Sequence, residues 1–338
     1  MMSINKGSKF RLWLRNSGLS GIALASVVLV AGLGSAQAQD AYPGKAIRLV
    51  VPYPPGGVSD NSSRAIAERL GRELNQTIII ENKAGAASTL ASNLVARAPA
   101  DGYTLYAAPV SVVINPTLQG KVEYDPQRDF APISMMITSA FVLQTNKELN
   151  VNNMAELLAR VRANPDKFAI GTSGMGSINH LAAEYFMKAF DLKMAVIHYK
   201  GGSPAAQDLI GGRIQMMFSA TNEAMPFIQA GRTQGIAVTS AQRVSTLPEL
   251  PTVDEATGTQ GFDAEFWLAL LAPAKTPPTV LNTLQTAMQK VGADRVLAED
   301  LAKKGVMLKV SSPAEVQGYM DRDGKKWGQI IKELGIKE

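Results

Sequence analysis

Two periodicities alternate along the chain. Short apolar runs rich in β-branched residues give way to stretches whose apolar positions return every three or four residues. The first pattern predicts strands over residues 47–51, 77–81, 103–107, 140–145, 168–172, 195–199, 215–218, 235–239 and 266–271. The second predicts helices over 61–74, 88–97, 154–163, 179–190, 204–211, 223–230, 278–291, 293–304 and 313–334. Such alternation implies an α/β architecture with mainly parallel sheets. Two apolar stretches, residues 133–144 and 262–273, look like long strands flanked by turn residues. If both are crossovers, the middle of the chain forms one lobe and its two ends share the other. A cleft would then lie between the lobes, where ligands commonly sit.

Two strand-to-helix loops stand out against this pattern. Residues 49–60 read LVVPYPPGGVSD. Pro52, Pro54 and Pro55 stiffen the turn, while Gly56 and Gly57 let something approach the bare backbone. Ser59 or Asp60 is expected to N-cap the following helix, so Asp60 would compete with a ligand anion for the first N–H groups. A role for Asp60 facing a ligand ammonium is the alternative. The second loop is GTSGMGS, residues 171–177, with the hydroxyls of Ser173 and Ser177 beside a helix start. Glycine-lined loops at helix N-termini suit anions, and ligands of open α/β sheets bind at the carboxyl ends of strands. Each loop is equally compatible with a tight connection that binds nothing.

Composition narrows the compartment and the chemistry. Lys6, Lys9, Arg11 and Arg15 precede an apolar stretch over residues 19–33, and Ala36-Gln37-Ala38 follows it. That is the pattern of a cleaved export signal, with the cut expected after Ala38. The whole chain carries 34 basic and 29 acidic residues; losing the four basic residues of 1–38 leaves 30 against 29. The basic balance thus belongs to the signal, and it points to neither nucleic acid nor an acidic membrane surface. There is no cysteine, which excludes disulfides, thiolate catalysis and Cys-ligated metals, and only His180 and His198 supply imidazole. No metal and no cofactor is expected. Some 300 mature residues suffice for two domains held by their cores.

Sharper catalytic motifs are missing. Met175 stands where a G-x-S-x-G elbow around Ser173 would need its last glycine, and neither a Walker loop nor G-x-G-x-x-G occurs. A periplasmic serine hydrolase would have to pair Ser173 or Ser177 with His180, and no orienting carboxylate is marked. His180 reads instead as a helix-start residue that bonds locally, and His198 as a satisfied histidine at the edge of the core.

The stretches YPGKAIRLVVPYPPGGVSD, APADGYTL, YDPQRDFAPIS, GTSGMGSINHLAAEYF, HYKGGSPAAQDLIGGRIQMMF and LAPAKTPPTVLNTL occur in order along nearly all of the mature chain. Together they resemble the Bug-type, TctC-like extracytoplasmic solute receptors, the binding components of tripartite tricarboxylate transport systems. The resemblance implies a type II periplasmic binding protein fold with two crossovers. It divides the chain into residues 39–141 with 265–338 as one lobe and 142–264 as the other. It implies a monomeric periplasmic receptor, not an enzyme, that grips a small carboxylate partly through ordered water and delivers it to membrane permease subunits. A receptor presenting ligand to a membrane sensor would use the same pocket. The implied ligand-binding residues are Tyr53, Gly57, Val58, Asp60, Ser88, Ala108, Ser173, Gly174, Gly176, Ser177 and Ser219. Two departures from the family pattern fall among them. Residues 81–88 read ENKAGAAS where the family often has ENRPGAGG, and Ser219 follows Phe218 where aspartate is frequent. Both put a common dicarboxylate ligand in doubt.

Overall fold

A computed structural model describes residues 42–336; the export segment expected over residues 1–38 lies outside them. The first lobe begins with β1 (Ile47–Val51), α1 (Val58–Leu74), β2 (Ile78–Asn82), α2 (Thr89–Ala96), β3 (Thr104–Pro109) and α3 (Ser111–Leu118). β1 lies between β2 and β3, parallel to both. β4 (Phe130–Asn146) follows, then α4 (Met154–Ala163), β5 (Ala169–Thr172), α5 (Ile178–Ala189), β6 (Ala195–His198), α6 (Gly202–Ile210), β7 (Met216–Ala220), α7 (Thr221–Gln229), β8 (Thr233–Val238) and α8 (Val253–Thr257). The chain returns through β9 (Glu265–Pro273), α9 (Pro278–Gly292), α10 (Arg295–Ala302), β10 (Met307–Leu308) and α11 (Pro313–Leu334).

The expected α/β class and the long crossover are both present, but the sheets are mixed rather than mainly parallel, since β4 and β9 pair only antiparallel. β4 pairs antiparallel with β9 from Phe130 to Ala140, and Ala140↔Glu265 is the last rung. At Phe141 the same strand begins pairing with β7, and at Val142 with β8. One 17-residue strand therefore belongs to two sheets in succession. β9 in turn pairs with β3, while β5 lies parallel to β6 and β7.

Apolar burial follows the layers. Leu49, Val51, Ile66, Leu70, Leu284 and Met288 fill one face of the first sheet. On the other face Tyr106, Ile114, Trp267, Met320 and Trp327 join a core that continues to Leu181, Phe186, Phe218 and Phe262 under the second sheet. α11 carries that continuity. Its start is fixed by a capping box between Ser312 and Glu315 with Pro313 in the first turn, and Gly335 ends it in a left-handed conformation. Inside the core, the Trp267 indole N–H donates to Asp323 at 2.7 Å, and Arg322 and Lys326 balance that buried carboxylate.

Two kinds of difference from the expected elements have physical causes. α3 forms from VVINP, a β-branched run with a proline, because α3 packs under α11 and burial outweighs propensity. α1, α6 and α7 each start two or three residues before the expected position. Their N-caps are Gly57, Gly201 and Ala220 rather than a Ser, Thr, Asp or Asn. By contrast α4 and α11, capped by Asn153 and Ser312, match the expected bounds.

Glu265 sits half-buried at the rung where β4 leaves the first sheet. Burial, with Asp263 and Asp323 adding to it against Lys309 and Arg322, pushes its pKa up to about 7. A pKa raised on folding stabilises the protein below the ordinary glutamate value and is lost as pH rises through about 7. Glu265→Gln should therefore raise the melting temperature at pH 8 and change it little at pH 5. Melting curves of both proteins at the two pH values check this.

Candidate functional site

A cleft of about 840 Å³ opens where β4 passes between the sheets. Tyr53, Pro54, Pro55, Gly57, Val58 and Ser59 line it from the first lobe, together with Val110, Ser111, Ile114 and Asn115. Ser173 to Asn179, Gly201 to Ser203, Ala220 and Glu223 line it from the second. Phe141 and Phe266, on the two crossing strands, lie between these walls. No lysine, arginine or histidine faces the cleft among the described residues, and Glu223 is its one carboxylate.

The local origin of the first wall is a clamp around Asp60. Its Oδ2 accepts from the Gly56 N–H at 2.9 Å and Arg64 Nε at 3.0 Å, and its Oδ1 accepts from Asn82 Nδ2 at 2.8 Å. Asn82 also donates to the Tyr53 carbonyl, so β1's loop is tied to the end of β2. Burial alone would raise the Asp60 pKa, but the bonds from Arg64, Asn82 and Gly56 outweigh it and hold the carboxyl below its usual range. This corrects the expected N-cap. Asp60 lies inside the helix with its carboxylate turned to the loop and Arg64, and it neither caps α1 nor lines the cleft. The first-turn N–H groups of α1 are left without a side-chain cap where Gly57, Val58 and Ser59 face the cleft.

The second wall is organised by Asn179, which sequence reasoning did not single out. Its Oδ1 accepts from Ser173 Oγ at 2.9 Å, Ser177 Oγ at 2.6 Å and the Ser173 N–H at 3.3 Å. Its amide donates to the Phe218 carbonyl. Ser177 caps α5 through the His180 N–H. The His180 Nδ1 accepts from the Gly176 N–H at 3.0 Å, and its Nε2 lies 3.4 Å from Glu184. The Ser173–His180 couple weighed for a hydrolase is thus replaced by separate partners. His180 bonds locally, as expected, and its ring stands edge-to-face on His198, 4.6 Å away. His198 ends the exposed edge strand β6 and bonds Thr172.

Of the expected site residues, Tyr53, Gly57, Val58, Ser173, Gly174, Gly176 and Ser177 meet at the cleft. Ser88, Ala108 and Ser219 do not. Ser88 is buried behind Ser111, bonded to its hydroxyl at 2.7 Å. Ala108 is a fully buried rung of β3 against β9. Ser219 points to the face of β7 opposite Ala220 and accepts from Gln144. The two glycines also differ in kind. A Cβ on Gly57, whose φ is −78°, would meet no atom within 4 Å. A Cβ on Gly176 would stand 2.6 Å from Leu118 Cδ2, and its φ of +74° already favours glycine. Gly176 serves the close approach of its loop to Leu118 of α3.

A third loop, Gly201-Gly202-Ser203, was missed. The signal was present, since GGS stands between a strand and a helix as the other two loops do. It opens α6, which also lacks a side-chain cap, as do α3 at Ser111 and α7 beside Ala220. Four helix N-termini from both lobes therefore bring free N–H groups to a cleft without basic side chains.

Comparison with known proteins agrees with this geometry. A family model described as the tripartite tricarboxylate transporter family receptor matches residues 62–336. The chain belongs to that family. Protein BugT of Bordetella pertussis is 29% identical over 314 residues, 92% of this chain and 95% of its own. The structure of periplasmic binding protein BugD is 32% identical with a TM-score of 0.73, covering 88% of this chain and all of that one. An R. palustris protein solved with adipate is 30% identical with a TM-score of 0.76 over 87% of this chain and 99% of its own. The two-lobe α/β fold of this receptor is that of periplasmic binding proteins, and its family and fold are those of receptors rather than enzymes.

The Asp60 clamp yields a test without ligand. Asp60→Ala removes the acceptor shared by Gly56, Arg64 and Asn82 and loosens the Tyr53–Gly57 loop, at a cost of about 1–3 kcal/mol. The melting temperature should fall by several degrees at pH 7, and the difference should shrink as pH falls below the ordinary aspartate value and through the lowered Asp60 pKa. Thermal unfolding across that pH range measures it.

Proposed function

We propose that this chain is a periplasmic receptor that captures a small carboxylate in the cleft between its lobes and hands it to the membrane subunits of a tripartite tricarboxylate-type transporter. The carrying observation is the set of uncapped helix N-termini that converge on one cleft. An anion placed there satisfies backbone donors that otherwise face only water, with no basic side chain required. The adipate in the related R. palustris structure supports the same ligand class. The ligand-binding residues in this proposal are Tyr53, Gly57, Val58, Ser173, Gly174 and Ser177, joined by Ser111 and Ser203.

Delivery requires export, and the pattern ending at Ala38 supports cleavage there. Capture by closure requires a hinge, and β4 changes sheets between Ala140 and Phe141. We place the lobes on either side of it, residues 39–141 with 265–338 and residues 142–264. The receptor works as a monomer, without cofactor, nucleic acid or chemical turnover.

Ligand that binds only the folded state raises stability, by about 2.7 kcal/mol at a hundred times its Kd. A thermal-shift screen of mono- and dicarboxylates should find one or more that raise the melting temperature by several degrees. Gly57→Val should keep the ligand-free melting temperature, since the added side chain enters open space at an extended φ, and should abolish that shift. Unaltered binding by folded Gly57→Val, or a panel with no shift, would overturn the proposal.

A further inference from the structure

The cleft contains one charge that an anion receptor does not need. Glu223 lies in the first turn of α7, reaches the cleft wall, and has no hydrogen-bond or ion-pair partner among the described residues. Its Oε2 stands 2.8 Å from where a Cβ on Gly202 would be, so it sits against the opening of α6. We infer that the ligand carries, besides its carboxylate, a protonated nitrogen that pairs with Glu223.

The inference rests on the receptor reading and deepens it. A ligand carboxylate lies best at the α1 and α3 ends, where N–H groups are uncapped and no acidic side chain faces the cleft. A second ligand carboxylate across the cleft would meet Glu223. Like charges facing each other across the cleft disfavour each other, and no lysine, arginine or histidine there offsets them. An ammonium reverses the sign of that contact. Desolvation raises the Glu223 pKa, and no charged neighbour contributes to the shift. A cleft-facing carboxylate without a partner is matched by a cation and opposed by an anion. The role weighed for Asp60 from sequence, facing an ammonium, thus falls to a residue on the other lobe.

The test is calorimetric titration of the signal-free chain with two matched series. Glycine, β-alanine, 4-aminobutyrate and 5-aminopentanoate each replace one carboxylate of malonate, succinate, glutarate and adipate with an ammonium. At least one amino acid of the first series should bind more tightly than its dicarboxylate match. Glu223→Gln should weaken that binding about ten- to hundredfold while leaving the melting temperature of the free protein in place. Glu223→Asp, which keeps the charge, should retain part of the preference. Binding should also weaken as pH falls through the Glu223 titration. Tighter binding of a dicarboxylate, unchanged or improved by Glu223→Gln, would overturn the inference and leave the receptor reading standing. So would binding that strengthens at low pH, the sign of a protonated Glu223 donating to a carboxylate. No binding by either series would overturn it too, and the wider carboxylate screen then decides the receptor reading separately.

Discussion

The fold leaves the beginnings of several helices unfinished, and the site depends on that. A helix start exposes backbone N–H groups that a Ser, Thr, Asp or Asn cap ordinarily satisfies, worth about 1 kcal/mol each. In this chain α4, α8, α10 and α11 take such caps from Asn153, Thr252, Asp294 and Ser312, and none of those residues faces the cleft. Four of the helices that open on the cleft, at Gly57, Val110, Gly201 and Ala220, go without, while α5 is capped there by Ser177. The forgone stability is small beside the core. What remains is a concave set of oriented donors, each end favouring an anion by about 0.3–1 kcal/mol and more where water is excluded.

Donors of this kind select only if they are held still. Asp60 fixes the first loop by accepting from Gly56, Arg64 and Asn82 at once, and Asn179 fixes the second by collecting both serine hydroxyls. Neither group spends its polarity on the cleft through a charge. β4 then sets the two loops opposite each other, because a single strand carries the register from one sheet into the next. α11 braces the same junction from behind, with Lys326 donating to the Asp263 carbonyl and Trp327 edge-on to Tyr185.

Most of the fold was legible because its core positions keep clean periods; α4 and α11 even show their limits through their caps. The site was half legible, and for a related reason. Capping residues are what mark a helix start in sequence, so the helices that begin without one, α1, α6 and α7, were placed late. Asp60 was assigned a cap it does not form, because its competing partner Asn82 arrives from another strand, 22 positions on. Ser88, Ala108 and Ser219 sit close to the cleft in the chain but one layer behind it in space, a distinction that strand alternation and tertiary packing decide. Glu223 carried no motif at all. Its meaning comes from the absence of every other charge around it.

The central claim is that main-chain N–H groups at uncapped helix ends hold the ligand carboxylate. Amide proton shifts of the isotope-labelled protein, recorded with and without a saturating carboxylate, address it most directly. The account predicts large downfield shifts for the amides of residues near Val58, Ser59 and Ser111, as N–H groups acquire a charged acceptor, and little change at Asn153 or Ser312. Shifts confined to side-chain signals, with those helix-end amides unmoved at saturation, would contradict it.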